Sequence, residues 1–236
     1  MPTSDKKERI IMKISKKFLI IVLPILIVAI TIMSATVIVN ITEKSRNSLV
    51  LQYSSKNIHV YYTNQTPKST SNANLIYLTE DELFNKDNPL LFRGKVENIK
   101  NLEISFNGVK EYNAIATILV SNVYRGDIKN GDEIKILLPC PINGSISIED
   151  TTVVASMKEG MTGIFMPVQY DRTSTWVENG ETLTLLDIAG YGLQDGMRYA
   201  FLDMGEKLIF DKASYPSFKN AKTLDDIEQY IKKLIK

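Results

Sequence analysis

The chain has 236 residues, of which 44% are hydrophobic and 23% are charged, a composition that fits one folded domain with an appendage. The first 40 residues hold six basic and two acidic residues, so the remainder holds 22 basic and 25 acidic residues, a net charge of −3. Such a net charge gives the domain no electrostatic drive toward nucleic acid, whose binding requires a concentrated basic face. The single cysteine, Cys140, permits neither an intramolecular disulfide nor a thiolate metal cluster, and we predict no metal or cofactor.

An uninterrupted apolar segment occupies residues 18–39, where 22 residues carry no charge. A helix of that length spans roughly 33 Å at about 1.5 Å per residue, which matches a hydrocarbon core of about 30 Å. We therefore predict a transmembrane helix at 18–39, with the lipid bilayer as its partner. Pro24 is tolerated in a membrane helix and predicts a kink.

The distribution of Lys and Arg predicts the orientation of this helix. Six of them lie in the basic tail 1–17, whereas only Lys44, Arg46 and Lys56 follow nearby. The tail is therefore expected in the cytoplasm, and the rest of the chain outside the cell membrane. A cleaved signal peptide is the alternative, but its apolar region usually has about 7–15 residues, so we expect a retained, single-pass anchor.

The segment 40–74 is predicted to be a stalk or linker that leads to the extracytoplasmic domain, 75–236. Polar residues dominate 63–74, which has no periodic apolar face and is typical of a flexible linker.

Residues 41–62 allow two interpretations. They either continue the membrane helix as a stalk or form two short strands, LVLQY at 49–53 and IHVYY at 58–62.

The domain is predicted to begin with a short helix. Thr79 is its expected N-cap, Glu82 completes a capping box, and Pro89 ends the helix. Alternating apolar residues and turn signals then predict a series of strands, with Asn107-Gly108 as a strong β-hairpin signal. These strands are predicted at 90–99, 102–106, 112–124, 133–138, 145–149, 163–169, 183–188, 198–203 and 207–210.

A helix capped by Thr223 is predicted to close the chain. Asp225 and Asp226 in its first turn, and lysines in its last turn, suit the helix dipole. Its apolar side chains recur at three and four residues and predict one buried face: Leu224, Ile227, Ile231, Leu234 and Ile235. Many short strands with close turns predict a mainly β (α+β) fold, a small barrel or sandwich with a short N-terminal helix and a C-terminal packing helix.

Four motifs resemble a recurring pattern in small exported domains of Gram-positive bacteria. They are FRGKV at 92–96, VYRG at 123–126, GDEI at 131–134 and the strand from Glu159-Gly160 to Phe165-Met166. The resemblance implies an OB-like, five-stranded β-barrel similar to netrin-like modules, with no settled activity. OB barrels often bind oligonucleotides or oligosaccharides, but a fold by itself assigns no function.

The chain also resembles sortase-like transpeptidases in having an N-terminal anchor, one cysteine and one histidine. However, LLP at 137–139 stands where those enzymes have Thr-Leu-x-Thr, and Arg172 lies too far beyond Cys140. His59 lies in the predicted stalk, where it is poorly held within the about 3 Å of a thiol that nucleophilic catalysis requires. The simpler interpretation is that Cys140 fills a Pro-Cys-Pro turn and His59 is solvated.

Two other motifs are explained more simply as turns. Asp127 and Asp132-Glu133 could bind calcium, but Asp and Asn are common turn residues. The glycine-rich segment 189–196 lacks the strand-to-helix context and the final Lys-Ser/Thr of a phosphate loop.

Three aromatic residues, Tyr170, Trp176 and Tyr191, lie in or beside predicted turns and are the candidate ligand-binding residues. An aromatic set at one end of a barrel could stack on a sugar or dock a partner. Alternatively, Trp176 packs on its own hairpin, which Asn179-Gly180 closes.

The sequence thus favours a membrane-anchored extracytoplasmic binding module for a protein or a cell-wall glycan. The alternatives are a cell-envelope enzyme of the sortase-like thiol type that uses Cys140, and an accessory subunit of a membrane complex.

Overall fold

The computed structural model describes residues 47–64, 69–71, 75–143, 146–148 and 150–234. Within these ranges, no helix is long and apolar enough to cross a membrane. The predicted transmembrane helix 18–39 and basic tail 1–17 lie outside the described residues, and both stay predictions.

The described residues form a mainly β fold with few helices. The strands are β1 (Ile58–Tyr62), β2 (Ser69–Ser71), β3 (Leu91–Phe106), β4 (Val109–Arg125), β5 (Glu133–Leu138), β6 (Ile146–Ile148), β7 (Thr162–Phe165), β8 (Val168–Gln169), β9 (Thr175–Glu178), β10 (Glu181–Thr184), β11 (Tyr191–Gly192), β12 (Ala200–Asp203) and β13 (Leu208–Ile209). The helices are α1 (Glu80–Asn85), α2 (Thr152–Ala155) and α3 (Leu224–Leu234), with 3₁₀ turns at Leu185–Asp187 and Pro216–Phe218.

The main sheet curls into a half-barrel. Its order is β13-β12-β7-β3-β4-β5-β11-β8, and β1 pairs with the remaining edge of β3. Two further strand pairs, β9–β10 and β2–β6, stand apart from this sheet. The prediction of a mainly β fold is confirmed.

The long hairpin of β3 and β4 forms the centre of the sheet. Its predicted turn at Asn107-Gly108 is confirmed, with φ of 49° and 94°, the left-handed conformations that a type I′ turn requires. The strands predicted separately at 90–99 and 102–106 are one continuous strand, because the residues between them stay paired with β4.

The two faces of the central strands pack into different hydrophobic cores, because successive side chains of a strand point to opposite faces. Ile118 of β4 and Ile136 of β5 point into the first core, which also contains the buried residues of α1 and α3. Ile115 and Leu137 point into the second core, with β1 and the β9–β10 hairpin.

Both predicted terminal helices are confirmed. Thr79 and Glu82 form the capping box that begins α1. The hydroxyl of Thr223 accepts a hydrogen bond from the Asp226 N–H at 3.2 Å at the start of α3. Leu224, Ile227 and Ile231 form the buried face of α3. Leu234, predicted on the same face, is exposed in the last turn, and Ile235 lies outside the described residues.

The folded unit begins at Ser48, upstream of the expected start near Leu75. Strand β1 pairs antiparallel with the last part of β3, from Ile58 opposite Phe106 to Tyr62 opposite Leu102. A stretch predicted as stalk or linker is therefore part of the sheet, since its alternating apolar residues complete the second core.

Of the two interpretations of residues 41–62, the strand at 58–62 is confirmed. Residues 49–53 form no strand. Asp187 fixes this stretch instead: its Oδ2 accepts hydrogen bonds from the Tyr53 N–H at 2.9 Å, the Ser54 N–H at 3.0 Å and the Ser54 hydroxyl at 2.6 Å.

Two predicted strands are shorter than expected. The strand at 163–169 divides into β7 and β8 around Pro167, which has no N–H to donate to a ladder. The strand at 183–188 ends at Thr184, where the chain enters the 3₁₀ turn Leu185–Asp187.

Candidate ligand-binding face

One face of strands β3, β4 and β5 carries the second core at one end and is open at the other. The strand register sets Asn98 directly opposite Thr117, and Thr117 directly opposite Lys135. One step along, Lys100 lies opposite Ile115, which is buried in the second core. The core therefore ends at Ile115, and polar side chains continue across the same face.

This open part forms a groove of about 280 Å³. We call it the open face, and its lining residues are Tyr62, Glu97, Asn98, Lys100, Ile115, Thr117, Glu133 and Lys135.

Two contacts organise one side of the open face. The Lys100 ammonium lies 5.1 Å from the centroid of the Tyr62 ring, within the range of a cation–π contact. Lys95 forms an ion pair with Glu97 at 2.9 Å. Tyr62, Glu97 and Lys100 of the groove lining are therefore already engaged in contacts.

Four other polar side chains of the open face have no hydrogen bond or ion pair to another residue in the described ranges: Asn98, Thr117, Glu133 and Lys135. Asn98, Glu133 and Lys135 are exposed, and Thr117 is half-buried between them. An amide, a hydroxyl, a carboxylate and an ammonium together can donate and accept hydrogen bonds and bind both signs of charge. The lining contains two lysines and two glutamates, so the face suits a neutral or mixed-charge ligand.

A second hollow, of about 320 Å³, lies beside the segment that precedes α1. Arg198 and Asp195 form a buried ion pair there at 2.8 Å. The Arg198 guanidinium also donates to the Ile76 carbonyl at 2.8 Å. Asp195 thus holds the Arg198 guanidinium, whose hydrogen bond to Ile76 fixes the segment before α1 on the domain, and we assign this pair a structural role.

Two of the three predicted aromatic residues belong to the second core. The Trp176 ring lies 4.9 Å from the Phe106 ring, centroid to centroid. Tyr170 covers Gly192, where a Cβ would lie 1.8 Å from the tyrosine hydroxyl, and burial raises the pKa of Tyr170 to about 12. Both rings are half-buried packing residues.

Tyr191 packs on the first core, on the opposite side of the sheet from the other two. The structure therefore does not bring Tyr170, Trp176 and Tyr191 together on one surface. Trp176 pairs with Leu183 across its own hairpin, but its ring contacts Phe106 of β3. Asn179-Gly180 forms the turn between β9 and β10.

Cys140 and His59 have environments that do not suit catalysis. Cys140 is 2% exposed in the first core, and burial raises the pKa of its thiol to about 11 despite a hydrogen bond with the Thr151 side chain. A reactive thiol needs a lowered pKa. His59 is an exposed residue of β1, not a linker residue as predicted, and its neighbours Ile58 and Val60 point into the second core.

Within the described residues, no group of three or more His, Cys, Asp or Glu side chains could hold a metal ion. The glycine-rich segment 189–196 contains β11, whose two residues pair with β5 and β8.

Sequence reasoning did not identify the open face. The alternation of EIKILL does predict that Glu133 and Lys135 lie on the other face of the strand from the buried Ile134 and Ile136. That alternation was the sequence signal for two residues of the open face. What it could not supply is the register between β3, β4 and β5, or the point at which the second core ends.

No protein-family model matches the chain, and no curated protein matches it.

Proposed function

We propose that this protein is a non-catalytic binding module, held at the outer surface of the cell membrane by the helix at 18–39. Its folded domain binds a protein or a cell-wall glycan through the open face of β3, β4 and β5. The observation that carries this proposal is a set of polar side chains on adjacent central strands that have no hydrogen bond or ion pair to another described residue: Asn98, Thr117, Glu133 and Lys135.

The position of these side chains supports binding over catalysis. They are fixed by register on three adjacent strands, and sites on strands hold their geometry better than sites on loops. The groove lining offers hydrogen bonds and charges, and it contains neither the cysteine nor the histidine of a thiol enzyme.

An OB-like barrel is the finer description of the fold that we favour. A half-barrel with a long central hairpin is compatible with it, and OB barrels bind oligosaccharides and oligonucleotides across the face of adjacent strands. The balanced charge of the lining argues against a polyanion. The proposed ligand is therefore a polypeptide or a neutral glycan.

The membrane location rests on the sequence. The uncharged segment 18–39 has the length of a bilayer span, and the excess of Lys and Arg before it places the tail 1–17 inside the cell.

The test compares two matched variants of the full chain, purified in detergent, for binding to isolated cell-envelope material. Thr117→Arg places a long charged side chain in the middle of the groove. Ser121→Arg introduces the same side chain at an exposed position of the same strand outside the groove. We expect Thr117→Arg to lose at least about tenfold in affinity, equal to about 1.4 kcal/mol, while Ser121→Arg binds as the wild type does.

Equal binding by the wild type and both variants would exclude the open face as the binding site. Circular dichroism of each variant shows whether the fold is retained.

A further inference from the structure

We infer that the open face takes an extended polypeptide, which adds to the free edge of β5 at residues 133–135 as a further strand. This inference rests on the proposed function and specifies the class of ligand.

The backbone of β5 presents hydrogen-bonding groups on the side away from β4. The Asp132 carbonyl accepts a hydrogen bond from the Val120 N–H at 2.9 Å, so it points toward β4. Successive residues of a strand direct their backbone groups to opposite edges. Glu133 and Lys135 therefore direct theirs away from β4, as Leu137 does, whose carbonyl accepts from the Leu193 N–H at 3.0 Å.

Strand β11 covers only the second half of this edge. It pairs in parallel with Ile136 and Leu137, so the described strands leave the Glu133 backbone and the Lys135 N–H without a ladder partner. An uncovered edge of this kind is a template for another strand, and main-chain hydrogen bonds then supply affinity.

The side chains at this edge specify what the added strand should carry. Glu133 and Lys135 both point onto the open face, and neither has an ion-pair partner within the described residues. Opposite charges on facing residues of neighbouring strands contribute roughly 0.2–1 kcal/mol per pair. The preferred peptide therefore has a basic residue facing Glu133 and an acidic residue facing Lys135, two positions apart.

The same face is less suited to a glycan. Sugar binding commonly uses a free aromatic ring, but the Lys100 ammonium lies over the Tyr62 ring, at 5.1 Å from its centroid. The β5 edge supplies strand-type hydrogen bonds that a peptide backbone can complete and a sugar cannot. A polypeptide is the ligand that uses both the edge and the charges.

The first test is selection of phage-displayed random ten-residue peptides on the detergent-purified full chain. A second selection uses the chain with Glu133→Lys and Lys135→Glu, which exchanges the two charges at exposed positions. We expect both selections to enrich peptides with a basic and an acidic residue two positions apart, in opposite order for the two chains. The absence of enrichment, or the same charge order from both chains, would overturn the inference.

The second test measures amide hydrogen exchange in the full chain with and without a synthetic copy of the enriched peptide. Bound peptide should slow exchange of the Glu133 and Lys135 amides by at least about tenfold, whereas the Ile134 amide, which faces β4, serves as the control and should change little. Suppose that Thr117→Arg abolishes peptide binding but the bound peptide does not slow exchange of the Glu133 and Lys135 amides. That result would overturn strand addition to β5 and leave the proposed binding at the open face intact. A different outcome is that chitotetraose displaces bound cell-envelope material from a chain that enriches no peptide. That result would identify a glycan site and would likewise overturn the inference of strand addition.

Discussion

At the scale of single residues, burial separates the groups that can react from those that only pack. Cys140 has a raised pKa inside the first core, whereas Lys135 and Glu133 are exposed on the open face. The sequence pattern of one cysteine and one histidine resembles that of a thiol enzyme, but the environment of Cys140 does not supply a thiolate.

Cys140 should therefore react slowly with a thiol reagent. Raising the pKa from 9.0 to about 11 reduces the thiolate fraction at pH 8 by about 100-fold, since each pKa unit is a factor of ten, and burial slows access further. The measurement is the rate of maleimide labelling at pH 8 in buffer and in guanidinium chloride. We expect labelling in buffer to be at least about 100-fold slower. Comparable rates would support the alternative of a Cys140 enzyme.

Asp187 should make the fold sensitive to acid. Partial burial acts to raise its pKa, but hydrogen bonds from the Ser54 hydroxyl and from the N–H groups of residues 52–54 outweigh burial and hold the pKa below its usual range. The lowered pKa means that this stabilisation is present above the ordinary Asp value, about 3.9, and is lost as pH falls toward the folded-state pKa.

Asp187→Asn should lower the free energy of unfolding at pH 7 by about 1–2 kcal/mol, because hydrogen bonds to a charged group are lost. Urea unfolding at pH 7 and at pH 3 measures the effect, and the difference from wild type should shrink at pH 3. Asp203→Asn is the matched control, since among the described residues that carboxylate accepts a hydrogen bond only from the nearby Gly205 N–H. An equal loss at both pH values would show that the Asp187 charge is not the cause.

At the scale of elements, local signals were sufficient where the structure depends on neighbours in sequence. The capping box of α1, the turns at Asn107-Gly108 and Asn179-Gly180, and the first two turns of the buried face of α3 follow from a few adjacent residues. Strand limits were less predictable, because Pro167 and the 3₁₀ turn after Thr184 divide apolar runs that read as single strands. The open face could not be predicted, since it depends on which residues of β3, β4 and β5 lie opposite one another.

A substitution at Gly94 tests how closely β3 and β4 approach each other. A Cβ at this position would lie 2.6 Å from Cγ2 of Ile118 and 2.8 Å from the Leu119 carbonyl oxygen, closer than packed atoms allow. We expect Gly94→Ala to lower the free energy of unfolding by about 1–3 kcal/mol, as overpacking does. Gly190→Ala is the control, since a Cβ there meets no atom within 4 Å. Equal stability of the two variants in urea would contradict the described pairing.

At the scale of the whole molecule, the main sheet includes a strand from the stretch that the sequence predicted to be stalk or linker. Strand β1 is joined to β3 along five residue pairs, and Leu102, Ile104 and Phe106 share the second core with it. The sequence suggested a linker that ends near Leu75, because the polar segment 63–74 separates strand β1 from the other strands along the chain. The tether that we propose therefore ends before Ser48.

Two engineered protease sites test this arrangement. A site inserted between residues 64 and 69 cuts the chain after β1, and the domain should stay attached because β1 remains paired with β3. A site inserted between residues 40 and 47 should release the domain. Cleaved membranes are sedimented and the domain is detected in the pellet or the supernatant. Release by the first cut without denaturant would show that β1 is not a stable part of the sheet.

Photo-crosslinking in intact cells tests whether the open face contacts a ligand outside the cell, as we propose. A benzophenone amino acid replaces Lys135 on the open face or, as a control, Lys129 in the exposed turn before β5. We expect a discrete crosslinked product from position 135 that position 129 does not give, and that externally added protease digests. No product from position 135, or the same product from both positions, would contradict this proposal.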